Sequence, residues 1–232
     1  MVSYHCDGTI ATITIDDGKV NVLTLAVLTD LDAALSQAER DDAVVVIEGR
    51  DGVFSAGFDL PVLRNGGPAA VTLLRAGFDV TARLLAFPAP VVIACTGHAV
   101  AMGVFLLLSA DYRVGATGPY KITANEVAIG MTMPAAAVEI CRERLAPAYF
   151  HRAVALAETF SPADAVAAGF LDQAVEPSHV REAARGVAAH LATLDRAAHD
   201  ATKKRARQRA LTVIRAAIDA DFAADPVQAP AS

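Results

Sequence analysis

Two stretches of this chain place glycine and small residues directly after apolar, β-rich runs. Val53-Phe54-Ser55-Ala56-Gly57-Phe58-Asp59-Leu60 follows Val44-Val45-Val46-Ile47, and Thr96-Gly97-His98-Ala99-Val100-Ala101-Met102-Gly103 follows Val91-Val92-Ile93-Ala94. Glycine lets backbone amides turn outward and lets a ligand come close to the main chain. Two such turns at the ends of neighbouring strands can aim two N–H groups at one oxygen, the geometry of an oxyanion hole. The competing reading is that both glycines only serve tight strand-to-helix turns.

A third candidate is Glu126, within Ala124-Asn125-Glu126-Val127-Ala128-Ile129-Gly130-Met131. Among Ala, Val and Ile, burial should raise a carboxyl's pKa and make it a better base near neutrality. The residues alone fit an ordinary solvent-facing glutamate at a helix start at least as well. Glu139 and Glu143, one helical turn apart, read as a solvated helix face, with a second acid as the other option. His98 reads as packing or hydrogen bonding, Asp59 as a cap on its turn, and Asp111 as the structural end of a buried helix. Neither Cys95 nor any serine has a His/Asp partner at recognisable spacing, so a nucleophilic triad is unsupported. With no Walker loop, Rossmann GxGxxG, HExxH or Cys/His cluster, ATP, NAD and metal are not expected.

Elements must bring these residues together. Tyr4 to Cys6 and Ile10 to Ile15 alternate like a hairpin around Asp7-Gly8. Thr24 caps a predicted helix whose Leu25, Leu28, Leu31 and Leu35 recur at helical spacing. Residues 44–48 read as a buried strand, 61–68 as a mobile loop around Asn65-Gly66-Gly67-Pro68, and 69–85 as a helix. Residues 91–94 and 113–115 read as strands flanking a buried helix over 102–108. Ser161-Pro162 starts a mostly helical region, with helices predicted over 180–191, 197–204 and 210–222, and 224–232 as a frayed tail. Strands alternating with helices predict an α/β fold.

Composition narrows the class. The 232 residues suit one medium domain with room for a small appendage. Lys+Arg 20 against Asp+Glu 26 gives a formal charge of −6, which disfavours nucleic-acid binding. The three cysteines are scattered and odd in number, fitting a reduced, cytoplasmic compartment. Residues 1–20 lack the apolar core of a signal peptide. No Asp, Glu, Lys or Arg lies between Arg83 and Asp111, but Pro88, Pro90, Gly97, His98 and Gly103 there mark strand, turn and helix rather than a membrane span.

The two glycine-bearing segments, in this order and at this separation, resemble the crotonase superfamily, the enoyl-CoA hydratase/isomerase family. Its signature is an F-x-A-G-x-D-[LI] turn followed by an N-G-x-A-x-G-G-G-like loop. Asp111-Tyr112-Arg113-Val114 resembles the D-Y-R-[IV] strand that follows. The likeness spans about residues 10–170. It implies a spiral of ββα units over 1–176 and a C-terminal helical region over 177–232 that builds a homotrimer or a dimer of trimers.

The resemblance also assigns roles. It makes the Phe58 and Met102 N–H groups the oxyanion donors, and Glu126 the acid/base. Family hydratases use two glutamates around one water, and the first of those positions is Phe105 here, which cannot carry a proton. Family isomerases have an apolar residue there and an Asn-Glu pair like Asn125-Glu126. Moving a double bond from 3-enoyl-CoA to 2-enoyl-CoA, with one base removing a proton from C2 and returning it to C4, is therefore expected first. Hydration of 2-enoyl-CoA and non-catalytic acyl-CoA binding are the alternatives. Coenzyme A enters as part of the substrate, not as a tightly bound cofactor. The likeness places it against backbone at Val22, Leu23, Phe54, Ser55, Ala56 and Gly103. The basic run Lys203, Lys204, Arg205, Arg207, Arg209 reads first as a solvated helix face and second as a contact to CoA phosphates.

Overall fold

The structure, a computed structural model, describes residues 1–223. Its centre is a six-stranded sheet in the order β1-β2-β4-β7-β9-β11. The first two, β1 (Val2–Asp7) and β2 (Ile10–Ile15), form the expected antiparallel hairpin, and the later pairings are parallel. β4 (Val44–Glu48), β7 (Val91–Cys95) and β9 (Tyr112–Ala116) occupy the middle, and β11 (Gln173–Val175) closes the edge.

The apolar runs of the central strands follow from cover on both faces. Val44, Val46, Val92, Ala94 and Val114 pack against α8 (Val180–Leu191), which supplies Val180, Ala184 and Ala188. Their alternating neighbours Val45, Ile47, Val91 and Ile93 face the larger core. That core is covered by α1 (Leu25–Arg40), α3 (Gly67–Ala86) and α4 (Met102–Leu108).

Each central strand turns into a short strand of a second sheet. β4 leads to β5 (Gly52–Ser55), β7 to β8 (Gly97–Val100) and β9 to β10 (Ile122–Thr123), and these short strands pair in parallel in the order β10-β8-β5. This repeated step is the ββα spiral. A third, two-stranded pairing joins β3 (Val22–Leu23) to β6 (Gly57–Phe58).

Two expectations need correction. Residues 61–68 are not a loop: α2 (Leu60–Asn65) starts at an Asp59 N-cap whose side chain accepts from Val62 N–H, and Gly66 separates it from α3. The helices expected at 197–204 and 210–222 are one, α9 (Arg196–Asp221). No glycine or proline interrupts it, and its inner stripe runs Lys203, Arg207, Leu211, Ile214, Ile218. Lys203 and Arg207 interrupt the apolar stripe of the inner face without interrupting the helix. The tail expected at 224–232 lies outside the described residues. Among those described, no helix is long and apolar enough to cross a membrane.

Those two cations explain Asp111. Its carboxylate accepts from Lys203 Nζ (2.7 Å) and Val91 N–H (2.7 Å) and forms an ion pair with Arg207 Nη1 (2.9 Å). Lys203 and Arg207 are each only 7% exposed, so this part of the basic run is neither a solvated face nor free to reach a phosphate. Burial pulls the Lys203 ammonium down to about 8 despite Asp111. Lys204 pairs with Asp200 at 2.7 Å, and Arg205 and Arg209 are exposed.

Candidate active site

The two glycine-bearing turns interlock. After β5, the chain passes Ala56 and turns at Gly57, whose φ of +88° suits glycine. A Cβ built there would stand 3.0 Å from Ala101 Cβ and from Val100 O, and 3.3 Å from Met102 N. Reciprocally, a Cβ on Gly103 would stand 2.8 Å from Ser55 O. Only bare backbone lets the first turn lie against the second. Ser55 stitches the arrangement: its hydroxyl donates to Asn21 O (2.8 Å) and accepts from Gly57 N–H (3.1 Å).

The second turn is strained at Ala101, which has φ +50° and ψ −123°. Such a conformation in a residue with a Cβ persists only when its surroundings enforce it. It directs the chain into α4 with Met102 as the first helical residue and no side chain capping the start. First-turn amides of a helix have no partner within it, and Met102 N stands 3.3 Å from where a Cβ on Gly57 would be.

β10 brings the carboxyl to the same place. Thr123 pairs with Val100, and Ala101 N–H donates to Thr123 O at 2.9 Å, so the residues after Thr123 emerge next to the second turn. A short 3-10 turn over Val127–Ile129, ended by Gly130 in the left-handed region, folds Glu126 inward. Glu126 is 7% exposed, and its Oε2 is buried with no hydrogen-bond partner. Burial pushes its carboxyl up from 4.5 to about 7. The neighbouring Asn125 Oδ1 is also buried and unpaired.

Phe58, Ala56, Ala101, Phe105, Asn125 and Glu126 line one cavity of about 60 Å³. Leu60 and Leu63 of α2, Leu74 and Phe78 of α3, and Ile129, Met131 and Pro134 complete an otherwise apolar wall. The sequence places the pocket wall in residues 61–85, and Leu63, Leu74 and Phe78 bear that out, with the first part a helix rather than a loop. Among the described residues lining the cavity, Glu126 is the only ionisable one. A buried carboxyl oxygen without a hydrogen-bond partner among the described residues, in an apolar chamber, suits a group that holds and moves a proton.

The other residues singled out from the sequence divide clearly. Leu23 pairs with Phe58 and Val22 with Gly57 across β3–β6. Phe54 and Ser55 are wholly buried behind the turn, where Phe54 O accepts from Asn21 Nδ2 (3.1 Å). Asn21, missed as a structural key, is fully buried with φ +54° and also donates to Ile15 O. Its signal was an asparagine after Asp16-Asp17-Gly18, a type that tolerates left-handed backbone. His98 accepts from Lys121 N–H (2.9 Å) and packs edge-on against Tyr120. Glu139 pairs with Arg142 at 3.3 Å and Glu143 is exposed; neither lines the cavity.

Comparison with known proteins points one way. The sequence model of the family described as "Enoyl-CoA hydratase/isomerase" matches residues 5–224. The chain is 30% identical to the human mitochondrial protein named enoyl-CoA delta isomerase 1, over 87% of this chain and 68% of that one. A solved apo structure from Mycobacterium tuberculosis, titled an enoyl-CoA isomerase, is 50% identical with a TM-score of 0.91, covering 94% of this chain and 96% of the other. One from Mycobacterium ulcerans, titled enoyl-CoA hydratase EchA3, is also 50% identical, with a TM-score of 0.93 and coverages of 96% and 98%. Isomerase and hydratase names thus occur at equal similarity.

Proposed function

The chain belongs to the enoyl-CoA hydratase/isomerase family, and from that premise we propose that it shifts the double bond of 3-enoyl-CoA to 2-enoyl-CoA. One observation carries the choice of reaction: among the described residues lining the cavity Glu126 is the single carboxyl, and Phe105 stands at the position where the family resemblance would put a hydratase's second one. Hydration needs one group to activate water and a proton delivered to the α-carbon. Isomerisation needs only one base.

In this reading, the thioester carbonyl sits between the Phe58 and Met102 N–H groups. Glu126, as carboxylate, takes a proton from C2. The electron pair moves into a dienolate whose oxygen is held by the two amides, each such donor being worth on the order of 10²–10³ in rate. Glu126 then returns the proton to C4, leaving the double bond between C2 and C3. A carboxyl near pKa 7 is suited to both steps at neutral pH. The apolar walls keep bulk water from quenching the dienolate.

Coenzyme A runs past the backbone of Val22, Leu23, Ala56 and Gly103, with Phe54 and Ser55 supporting that surface from behind. The C-terminal helices supply the contacts of a homotrimer or a dimer of trimers, and the protein works in the cytoplasm.

Hydration is the second reading, favoured by the name of the 50% identical M. ulcerans protein. Incubation with 3-enoyl-CoA and 2-enoyl-CoA separately distinguishes them. Isomerisation yields conjugated-thioester absorbance from the 3-enoyl substrate without change of mass. Addition of one water to the 2-enoyl substrate, with no isomerisation, would refute it, and no product from either substrate would make the protein a binder.

A further inference from the structure

Gly77 lies in the interior of α3, a 20-residue helix, where glycine costs stability relative to alanine. Nothing in the helix itself calls for it. Its neighbours do: a Cβ built on Gly77 would stand 2.4 Å from Phe58 Cζ, 2.5 Å from Phe58 Cε1 and 3.2 Å from Met102 Cε. The side chains of two residues, distant in sequence, converge on this bare stretch of helix. They are the two residues whose N–H groups are assigned above to the thioester oxygen.

We propose that Gly77 is a positioning residue: the uncovered face of α3 seats the Phe58 ring and the Met102 methyl group, and so fixes the aim of both amides. The inference rests on the oxyanion reading above. Its force comes from the stiffness of Phe58. The Met102 thioether can swing aside, but the Phe58 ring is confined by Phe78, 6.4 Å away between centroids, and by the cavity wall it forms. A methyl group on Gly77 therefore pushes the ring, and the push passes to the short β6 backbone, which is paired with β3 at two residues and tied to Ser55 through the Gly57 N–H. A small rotation there turns the Phe58 N–H away from the carbonyl.

The test compares wild type, Gly77→Ala, Phe58→Leu and the double variant. A saturated acyl-CoA reports hydrogen bonding to its thioester carbonyl through the infrared stretch of the bound carbonyl, and 3-enoyl-CoA turnover gives kcat and KM. In wild type the stretch moves to lower frequency on binding. Gly77→Ala loses most of that movement and about 10²-fold in kcat, as expected for one misaligned donor, with KM changed less than about threefold. The double variant regains both, because leucine lacks the ring atoms that the new methyl group strikes.

A folded Gly77→Ala with wild-type carbonyl stretch and kcat overturns the inference. So does a double variant no better than Gly77→Ala. If Gly77→Ala does not fold, the double variant decides: folded with the wild-type stretch it supports the seat, unfolded it makes Gly77 a packing residue only. Absence of any carbonyl movement in wild type removes the oxyanion reading itself, and the inference with it.

Discussion

Phe105 and Glu126 line the same cavity, and the Phe105 ring stacks on Phe78 with centroids 5.8 Å apart. The aromatic ring therefore puts packed apolar surface into the cavity that Glu126 also lines. Under the proposed function, this pairing is what favours isomerisation over hydration. Replacing Phe105 by Glu should add or increase hydration of 2-enoyl-CoA, read as appearance of the 3-hydroxyacyl product by mass. Burying a second carboxyl and losing the stack should lower stability by about 2–4 kcal/mol. A folded variant with no gain in hydration would show that more than the second acid is missing.

Glu126→Gln keeps the shape of the side chain and removes its ability to take a proton. Turnover should fall by about 10²–10⁴-fold, the usual worth of a positioned acid/base. Affinity for a saturated acyl-CoA, measured by calorimetry, should stay within a few-fold. Retention of full activity would take Glu126 out of the mechanism.

The pH profile should carry the mark of the same carboxyl. Only the ionised form is a base, so kcat/KM should rise about tenfold per pH unit below 7 and level off above about 7. An ordinary glutamate, near 4.5, would give a flat profile from pH 6 upward.

Stability should follow the opposite slope. Folding raises the pKa of Glu126 from 4.5 to about 7, so the folded state holds this proton more tightly than the unfolded chain. The resulting stabilisation is complete below pH 4.5 and lost as pH rises through 7, a change of roughly 3 kcal/mol. Glu126→Gln, which has no such proton to lose, should therefore gain on wild type between pH 5 and pH 8. Denaturant titrations of both proteins at the two pH values measure the difference.

Asp111→Asn tests the anchor of the C-terminal helix. It leaves Lys203 and Arg207 buried without their shared carboxylate, and removing one partner of a buried ion pair costs about 3–5 kcal/mol. A clear drop in melting temperature is expected. A change near zero would mean that water enters to solvate the two cations.

Much of this arrangement was legible in the chain. The apolar runs at 44–47 and 91–94, each followed by glycine and small residues, defined central strands and the turns beyond them, because buried parallel strands leave no polar alternation. The helix over 102–108 and the Thr24 and Ser161 caps lie where their local chemistry puts them. Misreadings arose where local pattern and tertiary context disagree. Gly66-Gly67-Pro68 suggested a loop but only punctuates two helices. The polar stretch through Lys203 and Arg207 suggested a break in α9, because nothing nearby in sequence announces that Asp111 will meet those cations.

Local sterics and hydrophobicity in the sequence dictated the turn glycines and the buried strands, and the resemblance carried by those segments identified the family, implied the spiral architecture and put forward Phe58, Met102 and Glu126 as candidates. Whether Glu126 faces water or an apolar chamber was decided only by folding: the pairing of Thr123 with Val100 brings its segment to the second turn, and the walls from α2 and α3 strip its solvent. Burial is a property of what packs around a group, and for Glu126 much of that surrounding comes from segments tens of residues away.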